Sequence, residues 1–407
     1  MVYRPRDDML FSELQLKSAS MEAITFLGFK EPTEIQQKSI PILLDQEVDF
    51  IGQAQTGTGK TAAFLLPALD RLASPAEKEG KGPRVLILVP TRELAMQIAT
   101  QAEKYSKYLQ RVKTVCVVGG VPYQKQLVKM KRPYDILIAT PGRLIDFIDQ
   151  GKIKFPRLEM LVLDEADRML DMGFIEDINK ILARLPEQRQ NLLFSATMSD
   201  AVKSLAKRAI NQPVELTVSE DNTQKKNIKQ WLVTIDKTNK SALLSHLIHS
   251  LAWQQALIFI ETKHGAAKLV SQLEKRGIKA ESLHGGRTQA VREQILNEFK
   301  SGNISFLIAT GIAARGIDIG ALERVVNYDL PAQVDEYIHR IGRTGRAGAS
   351  GEAVSFVSKD NFRELCAIES RLGHVIERKS FDEFPVKKVV PISILNYQTQ
   401  YQKNKQR

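Results

Sequence analysis

The segment AQTGTGKT at Ala54–Thr61 combines residue types that bind phosphate. It fits the pattern G-x-x-x-x-G-K-[ST], except that alanine replaces the first glycine. Gly57 and Gly59 would let backbone N–H groups turn inward on phosphate oxygens. Lys60 would neutralise the β- and γ-phosphates, and the hydroxyl of Thr61 would bind Mg²⁺. The alternative is a glycine-rich turn before a helix, but a lysine–threonine pair between an apolar strand and a helix favours a nucleotide site.

An acidic pair follows another apolar run further along the chain. Asp164 ends the run Met160–Asp164, where a carboxylate needs a cation, and Mg²⁺ meets that need most simply. Glu165 is placed to orient or deprotonate a hydrolytic water. Taken alone, the pair would be better explained as helix-capping acids, but together with the phosphate loop it indicates nucleotide hydrolysis. Asp167 is better interpreted as a structural partner of the turn Ser195–Thr197 than as a metal ligand.

The elements that must position these residues are short, unalternating apolar runs. They are Val85–Val89, Asp135–Ala139, Met160–Asp164 and Asn191–Ser195. Such runs are typical of strands buried on both faces of a parallel sheet. The motifs PTRELA, TPGR, DEAD and SAT follow them directly, and helical stretches such as Arg92–Leu109 intervene. The pattern predicts a doubly wound α/β sheet that binds its ligands beyond the carboxyl ends of the strands.

The alternation of apolar runs and helical stretches is interrupted by the polar run Ser219–Lys229 and continues after it. The later apolar runs are Ala256–Ile260, Ser305–Ala309, Arg324–Tyr328 and Ala353–Val357. We therefore predict a first domain at residues 1–218, a linker at 219–229, a second α/β domain at 230–375 and a basic tail at 376–407. From Lys387 to the end the chain has five lysines and arginines and no acid, which is typical of a loose basic tail.

Composition narrows the class of protein. A chain of 407 residues predicts two or three domains, at roughly 150 residues each. The net charge of +11 is typical of proteins with a polyanionic partner, nucleic acid or an anionic membrane. Ordinary solvated charge is the alternative, and composition alone does not separate the two. Cys116 and Cys366 cannot build a disulfide framework or a zinc site. The first residues are no secretory signal, and the apolar runs are far shorter than the roughly 20 residues of a membrane span. We expect a cytoplasmic protein without a membrane partner.

In sequence the chain resembles the DEAD-box RNA helicases of superfamily 2, from about Phe11 to about Val357. The motifs that carry the resemblance occur in the family's order and spacing: GFKEPTEIQ (Gly28–Gln36), AQTGTGKT, PTRELA, GG (Gly119–Gly120), TPGR, DEAD, SAT, ARGID (Ala314–Asp318) and HRIGRTGR (His339–Arg346). Stretches such as SKYL and RMLDMGFI look closest to the RhlE-type bacterial branch. The resemblance implies two RecA-like domains, ATP and Mg²⁺ as cofactors, and local unwinding of short RNA duplexes by a monomer, in ribosome assembly or RNA turnover.

The resemblance also implies a role for each matched residue of the ATP site. Gln36 would read adenine, because one amide offers both a donor and an acceptor. Phe29 would stack on the base and Phe11 would support the pocket, with simple core packing as the alternative for both. The phosphate loop would comprise Thr56, Gly57, Thr58, Gly59, Lys60 and Thr61, and the catalytic residues would be Lys60, Asp164, Glu165, Arg343 and Arg346.

Residues of the second domain complete that site. Arg343 and Arg346 would reach the γ-phosphate as arginine fingers, with a solvated basic turn as the alternative. Gly316 and Asp318 would meet the nucleotide, Asp318 at the ribose. His339 would join the hydrogen-bond network of Asp167, Ser195 and Thr197 and so couple the two domains.

A further set of residues matches positions that hold the RNA backbone in the family. They are Arg92, Gly120, Thr140, Arg143, Thr262, Lys263, Gly285, Gln289, Arg292 and Thr310. Arginine and lysine pair with phosphate, and glycine and threonine offer N–H and hydroxyl donors. Few aromatic residues are interleaved, which predicts little sequence specificity. Gly311 stands where the family often has aspartate, a departure expected to affect the coupling of the sites, not the activity.

Two other functions stay open at this point. One is an ATP-dependent RNA clamp with slow turnover, which multiple-turnover unwinding of a short duplex would exclude. The other is a DNA-directed translocase, which DEAD in place of DExH and the adenine motif disfavour. Because the half-sites fall on different domains, ATP and RNA are expected to raise each other's affinity by the same factor.

Overall fold

The computed structural model describes residues 9–45, 48–55, 57–76, 78–109, 111–218, 228–314, 319, 322–345, 350–393 and 395. The chain divides into two compact units, Met1–Glu220 and Asp221–Arg407. Each unit is built on its own seven-stranded parallel sheet.

The first unit has the strand order β3-β4-β2-β5-β6-β1-β7. Its strands are β1 Phe50–Gln53, β2 Val85–Leu88, β3 Thr114–Val117, β4 Ile136–Ala139, β5 Met160–Leu163, β6 Gln190–Ser195 and β7 Val214–Thr217. Its α-helices are α1 Ser18–Phe26, α2 Glu34–Leu44, α3 Lys60–Leu72, α4 Arg92–Tyr105, α5 Tyr123–Met130, α6 Pro141–Asp149, α7 Ala166–Asp171, α8 Ile175–Leu182 and α9 Asp200–Ala209, and a 3-10 helix spans Phe11–Leu14.

Alternate residues of each central strand enter separate cores on the two faces of this sheet. In β2, Val85 and Ile87 belong to the core that contains Phe64 of α3. Leu86 belongs to the opposite core, with Phe147 of α6. A strand that is buried on both sides cannot show polar alternation, which explains the continuous apolar runs of the sequence.

The second unit has the strand order β10-β11-β9-β12-β13-β8-β14. Its strands are β8 Ile228–Thr234, β9 Ala256–Ile260, β10 Ala280–Leu283, β11 Phe306–Thr310, β12 Arg324–Asn327, β13 Gly351–Val357 and β14 Glu377–Lys379. Its α-helices are α10 Lys240–Ser250, α11 Lys263–Glu274, α12 Gln289–Lys300, α13 Gly311–Ala314, α14 Val334–Ile341 and α15 Phe362–Leu372, with 3-10 helices at Lys237–Asn239 and Lys359–Asn361.

The two sheets have the same topology. When the strands of each unit are counted from its own first strand, both orders read 3-4-2-5-6-1-7. The predicted fold class, two doubly wound parallel-sheet domains of the RecA type, is confirmed.

The folded part of the second unit extends beyond the predicted boundaries. Ile228 and Lys229, assigned to the linker, are the first residues of β8. The segment assigned to a loose tail begins with Ile376, which is buried, and continues into β14, which pairs with β8. Val390 is buried as well. A short edge strand of charged residues carries no apolar signal, so composition alone could not reveal it. The rest of the predicted linker, residues 219–227, and residues 394 and 396–407 lie outside the described residues.

No helix in the described part of the chain is long and apolar enough to cross a membrane.

Candidate active site

The phosphate loop, the acidic pair and the SAT turn meet at one edge of the first sheet. They follow β1, β5 and β6 respectively, and β6 lies between the other two strands. Because all strands are parallel, their carboxyl ends lie at the same edge. Beyond β1 the ladder continues for one more bond, from the N–H of Ala54 to the carbonyl of Ser195 at 3.0 Å. The topology therefore brings these three predicted motifs together.

Two glycines give the phosphate loop its shape. Gly57 has φ 89° and Gly59 has φ 96°, both in the left-handed region that other residues avoid. A Cβ on Gly59 would lie within 2.7 Å of the Thr33 hydroxyl, so glycine is also required by packing. Lys60, the first residue of α3, is buried, and its ammonium donates to the carbonyl of Ala54 at 2.9 Å. That bond keeps the Lys60 ammonium beside the first residue of the loop.

Gln36 connects the adenine motif to this loop. Its Nε2 donates to the carbonyl of Gly59 at 3.1 Å, and its Oε1 accepts from the backbone N–H of Thr33 at 2.9 Å. Thr33 and Gln36 also form the capping box of α2. The T-x-x-Q spacing is a known signature of such a box, so the sequence contained a signal for Thr33 that the motif comparison missed.

The two phenylalanines predicted at the adenine pocket are close together. Their ring centroids lie 6.4 Å apart. Phe11 is buried, whereas 45% of Phe29 is exposed. Phe29 also contacts the ring of Tyr105 at 6.3 Å. The exposed ring of Phe29, which contacts two other aromatic rings, suits stacking on a base. Phe11 is buried beside it, as both the supporting role and the core-packing alternative predict.

The acidic pair is almost inaccessible to water. Asp164 is 3% exposed and Glu165 is 5% exposed. Burial raises the pKa of the Asp164 carboxyl to about 6, opposed by the positive charge of Lys60. Glu165 has a left-handed backbone, with φ 52°, an arrangement that costs free energy and is concentrated at functional sites. Its Oε2 accepts from Nη1 of Arg168 at 2.9 Å. Sequence reasoning missed Arg168, although an i, i+3 pair on a helix is a recognisable spacing.

Asp167 forms the contacts predicted for a structural residue. Its Oδ2 accepts from the N–H of Ala196 at 3.1 Å, and from the N–H of Thr197 at 2.9 Å. The hydroxyl of Thr197 donates to the same oxygen at 3.1 Å. Ser195 accepts from the N–H of Asp167 at 3.3 Å. The DEAD and SAT segments are thus held together by one carboxylate.

The predicted RNA-binding residues of the first unit lie at the carboxyl ends of the other strands. Arg92 follows β2, Gly120 follows β3, and Thr140 and Arg143 follow β4. A Cβ on Gly120, which has φ 74°, would overlap the guanidinium of Arg92. Thr140 accepts from the N–H of Gly119 at 3.4 Å, and Arg143 donates to the carbonyl of Val121 at 2.9 Å. The structure therefore gathers all four beside the nucleotide half of the sheet edge.

Gln126 holds the loop that carries Gly120, and no sequence signal pointed to it. The side chain is buried. Its Oε1 accepts from the N–H of Val118 at 2.7 Å, and its Nε2 donates to the carbonyls of Val118 and Val121 at 3.1 and 3.0 Å. A buried amide that satisfies three backbone groups fixes a loop without a helix or strand.

The predicted RNA-binding residues of the second unit occupy the equivalent strand ends, after β9, β10 and β11. Thr262 caps α11 by accepting from the N–H of Gly265 at 3.0 Å, and Lys263 and Gly285 are exposed. Gln289 and Arg292 are buried instead. Arg292 donates to the carbonyls of His284 and Ala313, both at 3.3 Å. In this structure Arg292 braces the loops that present Gly285 and Thr310.

Two of the second unit's predicted ATP-site residues are described. His339 lies near the end of α14 and is half-buried, and Arg343 follows that helix and is 5% exposed. Four predicted residues lie outside the described residues: Thr56, Gly316, Asp318 and Arg346.

A phosphate loop and an acidic pair at the edge of one of two RecA-like sheets define a two-domain nucleoside triphosphatase. Comparison with known families agrees. The model described as DEAD/DEAH box helicase matches residues 33–205. The model described as helicase conserved C-terminal domain matches residues 239–348.

Whole-chain relatives specify the family. The chain is 41% identical to the DEAD-box ATP-dependent RNA helicase CshA of Geobacillus kaustophilus over 90% of this chain and 78% of the relative. It is 42% identical to the ATP-dependent RNA helicase RhlB of Shewanella sp. over 94% of this chain and 88% of the relative. The chain belongs to the DEAD-box family of ATP-dependent RNA helicases, which confirms the predicted enzyme class. The likeness to the RhlE-type branch stays a prediction.

Solved structures of the family are similar over nearly the whole chain. S. cerevisiae Dbp5 bound to RNA and ADP BeF3 has a TM-score of 0.81 and 33% identity, covering 92% of this chain and 96% of that chain. The DEAD-box helicase Mss116 bound to ssRNA and UDP-BeF has a TM-score of 0.84 and 30% identity, covering 95% of this chain and 82% of that chain.

Proposed function

We propose that the first unit binds ATP through the loop at Gly57–Thr61, with Gln36 and Phe29 at the base, and that Glu165 activates the attacking water. The observation that carries the proposal is the convergence of the phosphate loop and the acidic pair at one sheet edge, after β1 and β5. The ion pair with Arg168 at 2.9 Å orients this buried glutamate.

Magnesium is the metal that this site fits. The described residues include no cluster of three His, Cys, Asp or Glu side chains able to hold a metal ion. Mg²⁺ is usually held by one or two protein oxygens together with phosphates and waters. Asp164 and Thr61 would hold it, and the fit rests on Asp164, a buried carboxylate whose charged form lacks a full counter-charge. When bound, the cation would neutralise charge that develops on the phosphates.

The second unit is proposed to complete the ATP site. Asp318 would bind the ribose, and Arg343 and Arg346 would stabilise the charge on the γ-phosphate. His339 would connect to the network of Asp167. Since neither unit supplies the whole site, ATP would favour the arrangement in which both contribute.

RNA is proposed to lie across the strand ends β2–β4 and β9–β11, gripped by its backbone. The donors on these ends are guanidinium, ammonium, hydroxyl and N–H groups, which pair with phosphate and sugar and do not distinguish bases. The similar proteins Dbp5 and Mss116 carry RNA or ssRNA in their structures, which supports RNA as the ligand. Local strand separation would follow from holding one strand in a shape that a duplex cannot adopt.

The biological setting is proposed from the relatives. CshA and RhlB are bacterial helicases, and bacterial RNA is cytoplasmic. We propose a cytoplasmic role in ribosome assembly or RNA turnover.

One experiment tests the proposal as a whole. We expect Mg²⁺-dependent ATP hydrolysis that RNA stimulates and DNA of the same sequence does not, and multiple-turnover separation of a short RNA duplex. Single-turnover separation alone would indicate a clamp. Equal stimulation by DNA would indicate a DNA-directed translocase.

A further inference from the structure

The space that a side chain at position 311 would occupy is already filled by the side chain of another residue. Gly311 follows Thr310, the last residue of β11, and begins α13. A Cβ added to Gly311 would approach Oε1 of Glu336 far more closely than the 3.0 Å below which real Cβ atoms essentially never occur. Glu336 belongs to α14, so a carboxylate from another helix occupies the place of a side chain at position 311.

Glu336 in turn holds Arg340 one turn further along α14. Its Oε1 accepts from Nη2 at 2.8 Å and from Nε at 3.2 Å. Arg340 is 6% exposed, and its Nη1 donates to the carbonyl of Asp329 at 2.7 Å. Its guanidinium also lies 5.0 Å from the ring centre of Phe259. A charge-assisted pair with so little solvent access has a defined geometry and is costly to break.

This contact joins the two functional elements of the second unit. On one side is the turn of Thr310, proposed to bind RNA. On the other is α14, which contains His339 and ends just before Arg343, proposed to reach the γ-phosphate. Helix α14 runs from Val334 to Ile341 and contains Glu336, Arg340 and His339, so the contact of Glu336 with the Thr310 turn and the segment before Arg343 belong to one element.

We propose that Glu336 is a positioning residue that couples RNA binding to the placement of Arg343. The proposal rests on the roles given above to Thr310 and Arg343. It also explains why glycine occupies position 311: any larger residue would displace the carboxylate from Arg340. The displaced group is the far end of a flexible side chain, so the fold is retained while the coupling is lost.

The test is a cycle of variants at both positions, read as the ratio of RNA-stimulated to RNA-free ATP hydrolysis. Glu336→Ala and Gly311→Ala should each lower this ratio by about 5- to 20-fold, the lower part of the range that is typical of an allosteric coupling. Adding Gly311→Ala to Glu336→Ala should cost nothing more, since the displaced carboxylate is already gone. Asp335→Ala, which removes an exposed acid from the same turn of α14, is the matched control and should leave the ratio unchanged.

Rescue provides a second and independent readout. A Cβ at position 311 lies 3.4 Å from Nη2 of Arg340, so an aspartate there would place a carboxylate beside the guanidinium. Gly311→Asp combined with Glu336→Ala should recover at least half of the wild-type ratio. Recovery depends on where the charge lies, which a general loss of stability would not reproduce.

Three results would overturn the inference. They are additive losses from Gly311→Ala and Glu336→Ala, a fall in melting temperature with an unchanged ratio, and failure of aspartate at 311 to rescue. If Gly311→Ala does not fold, the rescue pair still decides. A wild-type protein whose hydrolysis RNA does not stimulate would reject the proposed function itself, and that result is seen before any variant is made.

Discussion

The two units have the same strand order, and in both a lysine is the first residue of the α-helix that follows the first strand. The two lysines have different partners. In the first unit Lys60 opens the helix after β1, and its ammonium bonds only a loop carbonyl among the contacts described above. In the second unit Lys240 opens the helix after β8. Its ammonium lies 2.9 Å from Oδ1 of Asp329 and 2.6 Å from the carbonyl of Tyr328. The phosphate contact proposed for Lys60 thus has no counterpart at Lys240, which pairs with Asp329 of its own unit.

The carboxylates follow the same division. Asp164 comes after β5, and Asp329 comes shortly after β12, the equivalent strand. Asp329 is neutralised by Lys240 and also accepts from the N–H of Glu261 at 3.1 Å. The connection before Lys240 is IDKTN and has no glycine. Its Asp236 and Asn239 have φ −68° and −100°, so it lacks the left-handed residues that shape the loop at Gly57 and Gly59. The comparison indicates that the glycine-containing loop, and not the lysine or its place in the fold, distinguishes the phosphate site proposed for the first unit.

The largest expected effect is on the rate of ATP hydrolysis, at the acidic pair of the first unit. Glu165→Gln should lower kcat by at least about 100-fold, because general-base catalysis is worth roughly 10²–10⁴. ATP-dependent RNA binding should persist, since the amide keeps the shape of the site. Single-turnover hydrolysis and RNA binding with and without ATP measure the two. Normal turnover would reject Glu165 as the catalytic carboxylate.

The next effect concerns what the second unit contributes. Arg346→Ala should lower the ATPase rate at least about tenfold while ATP affinity stays within a few fold, because a finger acts mainly in the transition state. Arg371→Ala, an exposed arginine on α15, is the control. If affinity collapses and the rate at saturation does not, Arg346 is a ground-state contact and the finger role is wrong.

A smaller effect tests the second lysine directly. Lys240→Met should lower the free energy of unfolding by about 1–3 kcal/mol, less than for a fully buried pair because Asp329 keeps access to water. ATP affinity should not change. Lys237→Met removes a neighbouring lysine whose pair with Asp360 is exposed, and its unfolding midpoint should match the wild type. A loss of ATP binding at unchanged stability would show that Lys240 serves a ligand after all.

The smallest effect is expected at the end of the chain. Removing residues 396–407 deletes Lys403, Lys405 and Arg407 and leaves the packed segment through Val390 in place. RNA affinity should fall a few fold, and the slope of log affinity against log salt should flatten by up to about 2. RNA-stimulated hydrolysis should remain. Glutamine at the three positions in the full-length chain is the control for length, and an unchanged slope would exclude an RNA contact.

The sequence predicted most of what is local and little of what is tertiary. Strands buried on both faces are continuous apolar runs, so β2, β4, β5 and β6 were recognisable, and motifs at their ends fell where parallel topology requires. The edge strand β14 was missed because Lys379 packs its charged end over Trp231, 4.2 Å from the ring centre, which no periodicity reveals. Gln126 and Glu336 act on partners that are close only after folding. The pair of Glu336 with Arg340 has a recognisable i, i+4 spacing, but the approach of Glu336 to Gly311 follows from the packing of elements, and spacing along the chain does not encode it.

The position of β1 in the sheet has a consequence for folding during synthesis on the ribosome. Within the described sheet β1 pairs only with β6 and β7, which are the last strands of its unit to be synthesised. The strand that precedes the phosphate loop is therefore synthesised first, but it can pair only after β6 and β7 have been synthesised. Chains that end before Gln190 contain neither ladder partner of β1, so in such fragments the strand that precedes the phosphate loop has no sheet to join. Long-range parallel pairing of this kind folds slowly, and here the delay ties the appearance of nucleotide binding to completion of the domain.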